Sequence, residues 1–327
     1  MDNTRRERTG LLSGTTQDRP AVAATIMVGS LFLLGFQDAL VKTTSSEVSL
    51  WQFNMVRGAF NCLLLLILMR VIWGRGNPRP LKPWSVLLRS LFQITTMCCF
   101  FGGVPFLSLA EIAAGLYVYP LFVAVLSAVV LGEHVGPRRI VAIIVGFAGT
   151  LLILKPGTDA FKLVGLMPIA AAFFYALTIL TTRRLCREES PVTLAMGLAI
   201  GFTLIGGSMT ILFTLHTPQH LSWQWPFLFT GWHPLELWVV GLIAVCSLFN
   251  ATSNIGLAKA YQSADASWLA PFGYSYLIFA TFWGYVFWQT VPDVLTVMGM
   301  AFIAGAGTFV VWRESQQHWP RIPSIGG

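Results

Sequence analysis

About ten apolar stretches, each long enough to cross a bilayer and each followed by a short polar break, fill nearly everything between Ala21 and Arg313. In lipid, every backbone N–H and C=O must be satisfied within its own segment, so stretches of this length form helices. The alternating pattern of a membrane β-barrel is absent. The sequence therefore predicts an all-α polytopic membrane protein. Its transmembrane helices fall at roughly 21–42, 49–70, 84–104, 108–131, 137–155, 163–183, 191–214, 235–259, 264–288 and 293–312. Composition agrees, since 55% hydrophobic and only 11% charged residues exceed what the core of a soluble 327-residue chain requires.

Charge sets the orientation, because cytoplasmic loops retain Lys and Arg more readily than translocated ones. Sixteen basic residues fall on one side, among them Arg5, Arg6, Arg8, Arg70, Arg75, Arg138, Arg139, Arg183, Arg184 and Arg313. Three, Lys42, Lys155 and Lys162, fall on the other. Both termini are thus expected in the cytoplasm, and the protein in a bacterial inner membrane. Residues 1–20 are too polar to pack and lack a cleavable apolar segment, so they read as a disordered cytoplasmic tail rather than a signal peptide. Residues 314–327 read as a second cytoplasmic tail.

The formal charge of +7 is spread over helix ends, without the stacked aromatics or recognition helix of a nucleic-acid binder, so anionic lipid headgroups are the expected partner. No phosphate-cradling glycine loop is present, and no cofactor is expected. The five cysteines lie in or at the ends of helices without C-x-x-C spacing and read as small apolar filler. His216, His220 and His233 lie beside Trp223, Trp225 and Trp232 in the longest non-cytoplasmic loop. Their spacing matches no zinc pattern, so no metal is expected, and the loop reads as an aromatic segment lying on the headgroups.

The two halves echo each other. GLYVYPLFVAVLSAVVLGE in the fourth helix answers FGYSYLIFATFWGYVFWQT in the ninth, aligning Tyr117 and Tyr119 with Tyr274 and Tyr276 at a separation of 157 residues. Each stretch leads through a break at Pro137 or Pro292 into a Gly-rich helix, with Gly146 and Gly149 in one and Gly299, Gly305 and Gly307 in the other. A repeat of five crossings turns the second copy upside down, which is the inverted-repeat plan of secondary transporters.

The stretch SLAEIAAGLYVYPLFVAVLSAVVLGEHVGPRRIVAIIVGFAGTLLILKPG resembles the first-repeat signature of the drug/metabolite transporter superfamily with EamA-type domains. AYQSADASWLAPFGYSYLIFATFWGYVFWQTVPDVLTVMGMAFIAGAGTFVVWRE resembles the second. The resemblance implies ten helices in two inverted five-helix repeats, residues 21–155 and 156–313. It also implies transport of amino acids, metabolites, vitamins or drug-like solutes, outward in many members. The acidic residue usual at the end of the last-but-one helix is present as Glu133 but replaced by Gln289 in the second repeat.

Ionisable groups inside a membrane segment cost roughly 2.5–3.5 kcal/mol each and belong beside a cavity or a partner. Arg57 and Asp38 lie at similar depth, about two turns from the outer helix ends, and either pair or share a substrate path. The alternative for Asp38 is a local bridge to Lys42. Arg89 lies about one turn from a helix end and reads as snorkelling. Glu111 and Asp265 open two helices from opposite sides, either as caps or as gating and proton-coupling groups at the two mouths.

Near the midplane, Tyr117, Tyr119, Tyr175, Tyr274 and Tyr276 offer hydroxyls and ring faces to a solute or pack between helices. Gln52 and Trp268 are further substrate-binding candidates. Residues two apart on a helix point about 200° apart, so one tyrosine of each Tyr-x-Tyr pair is expected to face the centre. Asn250 and Asn254 form, with Ser247, a polar stripe that is either interhelical glue or cavity lining. Pro120 and Pro271 interrupt helices beside the tyrosines, a pointer to a transport site. The expected function is secondary-active transport of a small organic solute by alternating access. An amino acid or amino-acid-derived metabolite moving outward is favoured over uptake of a vitamin, nucleoside-like or drug-like solute. A membrane-embedded enzyme would need an acid–base or metal cluster that is not seen. The expected assembly is a monomer or homodimer among membrane lipids.

Overall fold

A computed structural model describes residues 20–73, 80–131, 137–155, 163–186, 189, 191–263 and 272–317. Among these, every regular element is helical: α1 Pro20–Thr44, α2 Leu50–Trp73, α3 Pro83–Gly102, α4 Leu109–Leu116, α5 Tyr119–Leu131, α6 Pro137–Leu154, α7 Leu166–Leu185, α8 Pro191–Leu215, α9 Gln219–Gln224, α10 Pro226–Phe229, α11 Leu237–Ser263, α12 Ser275–Trp288 and α13 Val294–Gln317. A 3-10 turn at Leu163–Gly165 leads into α7.

Six stretches among the described residues are long and apolar enough to cross a membrane: Ala21–Thr44, Leu50–Arg70, Pro83–Gly102, Leu163–Thr182, Val192–Leu215 and Leu237–Leu257. Shorter apolar helical stretches run over Leu109–Val123, Ile144–Leu154 and Val294–Ala306. Leu63, Leu66, Ile67, Leu204, Leu212 and Ile278 are exposed on the outer helix faces, which suits contact with acyl chains. The protein is an integral membrane protein.

One expectation needs correction. The stretch 108–131 is not one helix: α4 ends at Leu116 and α5 starts at Tyr119. Pro120 has no N–H to continue the ladder, and Leu121 instead bonds Val118 across a tight turn at 3.0 Å. In the loop after α8, Pro226 starts the short helix α10 directly after α9.

Helix pairs meet face to face: α1 with α11 and α12, α2 with α8, α3 with α7, α4 with α12, α4 and α5 with α7, and α6 with α13. Small residues bring two of these pairs to backbone contact, as association without a hydrophobic driving force requires. A Cβ on Gly58 of α2 would stand 2.8 Å from the Ala199 carbonyl oxygen, and one on Gly206 of α8 would stand 2.7 Å from the Trp51 carbonyl oxygen. Gly149 of α6 and Gly299 of α13 are likewise reciprocal. A Cβ on either would lie 2.8 or 2.6 Å from the other's carbonyl oxygen.

Candidate functional site

Ser49 precedes α2, accepting the Phe53 N–H on its carbonyl at 2.9 Å and the Gln52 N–H on its hydroxyl at 3.3 Å. This start places Arg57 two turns into the helix, where it is 3% exposed. Its Nη2 donates to Asn54 Oδ1 at 2.9 Å, and Nε has no partner. The guanidinium faces three rings, Phe53 at 5.2 Å and Phe101 and Phe202 at 5.1 Å. Cation–π contacts of this kind contribute about 0.5–2 kcal/mol each and offset only part of the cost of an unpaired buried cation.

Asp38, also buried, does not close an ion pair with Arg57; among the described residues the ion pair is Lys155–Asp293. Nor does it bridge to Lys42, whose ammonium instead donates to the Leu107 carbonyl and lies 5.2 Å from the Trp288 ring centroid. Both oxygens of Asp38 accept from neutral donors: Oδ1 from Gln37 Nε2 at 3.0 Å and Oδ2 from the Tyr276 hydroxyl. Gln37 Oε1 in turn accepts from Asn250 Nδ2 at 3.0 Å, and Asn250 accepts from Asn254 Nδ2 on its carbonyl at 2.7 Å. One polar chain thus runs from α12 through α1 to α11.

The tyrosines continue that chain. Tyr276 stacks on Tyr117 with centroids 5.2 Å apart and planes 15° apart. Tyr117 also meets Tyr274 at 5.7 Å and Tyr119 at 5.9 Å, and Tyr119 stands edge-on to Tyr175 of α7 at 4.8 Å. Both members of each Tyr-x-Tyr pair therefore touch this ring cluster. The helix stops between Tyr117 and Tyr119, so the 200° rule does not hold across that pair, whereas Tyr274 keeps helical backbone angles directly before α12. The Tyr274 hydroxyl is buried and has no hydrogen-bond partner.

Other candidates are placed elsewhere. Gln52 clamps a loop: its Nε2 donates to the His233 carbonyl at 2.7 Å, and its Oε1 accepts the His233 N–H at 3.0 Å. Glu111 forms a capping box with Ser108, accepting that residue's N–H at 2.8 Å while the Ser108 hydroxyl accepts the Glu111 N–H at 3.2 Å. It also borders a small cleft with Leu107, Gly115, Thr150 and Pro168. Asp265 and Trp268 lie outside the described residues. Gln37 and Asn54 were not singled out by sequence reasoning. Their signal was an amide one position before Asp38 and another three before Arg57 in otherwise apolar helices.

Residues 21–155 match the EamA-like transporter family. The chain is 24% identical over 273 residues to the riboflavin transporter of Rhizobium johnstonii, covering 84% of this chain and 83% of that protein. It is 26% identical over 282 residues to the pseudopaline exporter of Pseudomonas aeruginosa, covering 84% and 90%. With the S-adenosylmethionine uptake transporter of Rickettsia prowazekii it shares 24% identity over 287 residues, covering 88% and 91%. These relatives are transporters rather than enzymes.

Proposed function

Since residues 21–155 match the EamA-like transporter family and the relatives above are transporters, we propose that this chain belongs to the EamA-type drug/metabolite transporters and is a secondary-active transporter of a small organic solute, working by alternating access between two inverted five-helix halves. The halves are residues 21–155 and 156–313, with both termini cytoplasmic. The helix pairings support this plan. Exchanging α1, α2, α3, α4–α5 and α6 for α7, α8, α11, α12 and α13 maps α1–α11 onto α7–α3 and α1–α12 onto α7–α4, and it leaves α2–α8, α4–α12 and α6–α13 paired with themselves. In the same exchange Gly58 and Gly206 trade places, each seven residues after the carbonyl that the other helix approaches.

The observation that carries the choice of solute is Arg57, a buried guanidinium whose Nε has no hydrogen-bond partner and which closes no ion pair among the described residues. A planar cation in this state suits a carboxylate, which it can hold through two parallel hydrogen bonds. The solute is an amino acid or an amino-acid-derived metabolite, and the direction is export. Asp38, Tyr117, Tyr119, Tyr175, Asn250, Asn254, Tyr274 and Tyr276 line its path between the halves, with Gln52 bracing the outer loop. Glu111, at the start of α4, and Asp265, from its place in the sequence, are the gating or proton-coupling candidates. The names of the riboflavin and S-adenosylmethionine relatives favour a second reading, inward movement of a vitamin-like or nucleoside-like solute.

Liposomes holding the purified protein and labelled amino acids test the proposal. Wild type exchanges internal label for unlabelled solute outside, and Arg57→Ala slows that exchange roughly tenfold or more. Wild-type vesicles that exchange no such solute refute the amino-acid reading, and a gradient imposed in either direction reads out export against uptake.

A further inference from the structure

We infer that the stacked pair Tyr117–Tyr276 is the seat of a flat conjugated ring carried by the transported solute, which enters by taking the place that each tyrosine now gives the other. The inference rests on the transporter reading above and deepens it by naming a substrate class. Three observations carry it.

The two rings come from opposite halves of the chain, and each stands close to a helix end. Tyr117 follows the last residue of α4, before Pro120 restarts the helix, and Tyr276 lies in the first turn of α12, one residue after Ser275 begins it. Side chains near such ends shift when the flanking segments tilt, without tearing a backbone ladder.

The geometry is also unlike the aromatic packing elsewhere in the protein. Tyr117 and Tyr276 lie 15° from parallel, whereas the other ring contacts among the described residues are tilted or edge-on. A near-parallel pair held from two halves loses its face-to-face contact when the halves separate. A flat solute restores that contact on both faces, and an aliphatic solute restores neither, so opening favours a ring.

Finally, the edge of this seat carries unused polar capacity. The buried Tyr274 hydroxyl has no partner, and its ring lies 5.7 Å from that of Tyr117. Behind Tyr276 stands the Asp38 carboxylate with its Gln37 amide. A heteroatom on the rim of the incoming ring satisfies the lone hydroxyl, as buried polar groups in native structures generally are.

The test compares L-tryptophan and riboflavin, which carry flat rings, with L-leucine, which does not. Flux into liposomes is measured for wild type, Tyr117→Leu and Tyr117→Phe, each first matched for melting temperature. The expected result is that Tyr117→Leu lowers flux of the ring solutes relative to leucine roughly tenfold, and that Tyr117→Phe recovers most of the loss because it keeps the ring face. Folded Tyr117→Leu protein that moves tryptophan and riboflavin as wild type does overturns the inference, as does wild type that moves leucine but neither ring. If wild type moves none of the three, the amino-acid reading fails instead. The seat is then decided by quenching of riboflavin fluorescence in detergent: quenching lost in Tyr117→Leu upholds it, and no quenching by wild type overturns it.

Discussion

The Tyr276 hydroxyl donates to Oδ2 of Asp38, joining α12 to α1 through a buried carboxylate that closes no ion pair among the described residues. Hydrogen bonds to charged groups contribute about 1.5–3 kcal/mol in water-soluble proteins and often nearer 1 between membrane helices. Tyr276→Phe is therefore expected to destabilise the protein by about 1–2 kcal/mol. A clear fall in melting temperature in detergent checks this, and an unchanged melting temperature refutes it.

Arg57 separates stability from activity. Removing it deletes a buried cation that closes no ion pair among the described residues, so Arg57→Ala is expected to keep or raise the melting temperature even as solute exchange collapses. Arg57→Lys keeps the charge but not the planar fork, so it restores little exchange. A strong loss of thermal stability in Arg57→Ala shows the residue to be chiefly structural.

Gly149→Ala and Gly299→Ala each push a methyl to within 3 Å of a backbone carbonyl on the partner helix, where no flexible side chain can yield. Overpacking of this kind costs roughly 1–3 kcal/mol. Gly305, in the same helix as Gly299, has nothing within 4 Å of where a Cβ would go, so Gly305→Ala is the control. Thermal unfolding should rank Gly305→Ala with wild type and both contact variants below it.

The Lys155–Asp293 pair closes at 2.5 Å, and its hydrogen bonds to Lys155 and Thr296 hold the Asp293 carboxyl down at about 2. Because the folded-state value lies below the ordinary 3.8, the pair's contribution is complete above about pH 4 and is lost as pH falls through about 2. Half the Asp293 side chain is exposed, so the contribution is at most about 1 kcal/mol. The melting-temperature gap between wild type and Asp293→Asn should be small, constant from about pH 7 to 4, and closed toward pH 2.

Much of this architecture is legible from residue order alone, because the length and apolarity of each stretch leave a helix as the sole form lipid permits. The break beside Tyr117 was also legible, since Pro120 removes a backbone donor. The partners of Asp38 were not. Tyr276 lies 238 positions away, and Gln37 reaches Asn250 across 213, and nothing in a single sequence couples such distant residues. Lys42 was the nearer basic residue in sequence, yet it turns to the Leu107 carbonyl and the Trp288 ring. Helical periodicity does not describe Tyr117 and Tyr119 for a related reason: a rule about angle per residue fails where the helix itself stops.

At the crossing of α6 and α13, the backbones of Gly149 and Gly299 meet, flanked by the side chains of Ile153, Phe302 and Ile303. Sliding either helix along the other would drive these flanking side chains into the partner's backbone, so the helices must first lift apart. The contact does permit rotation about the point of touch, as does the similar crossing of α2 and α8. The bundle is thereby pinned at two fulcrums, and any movement that leaves them intact is a swing about fixed points.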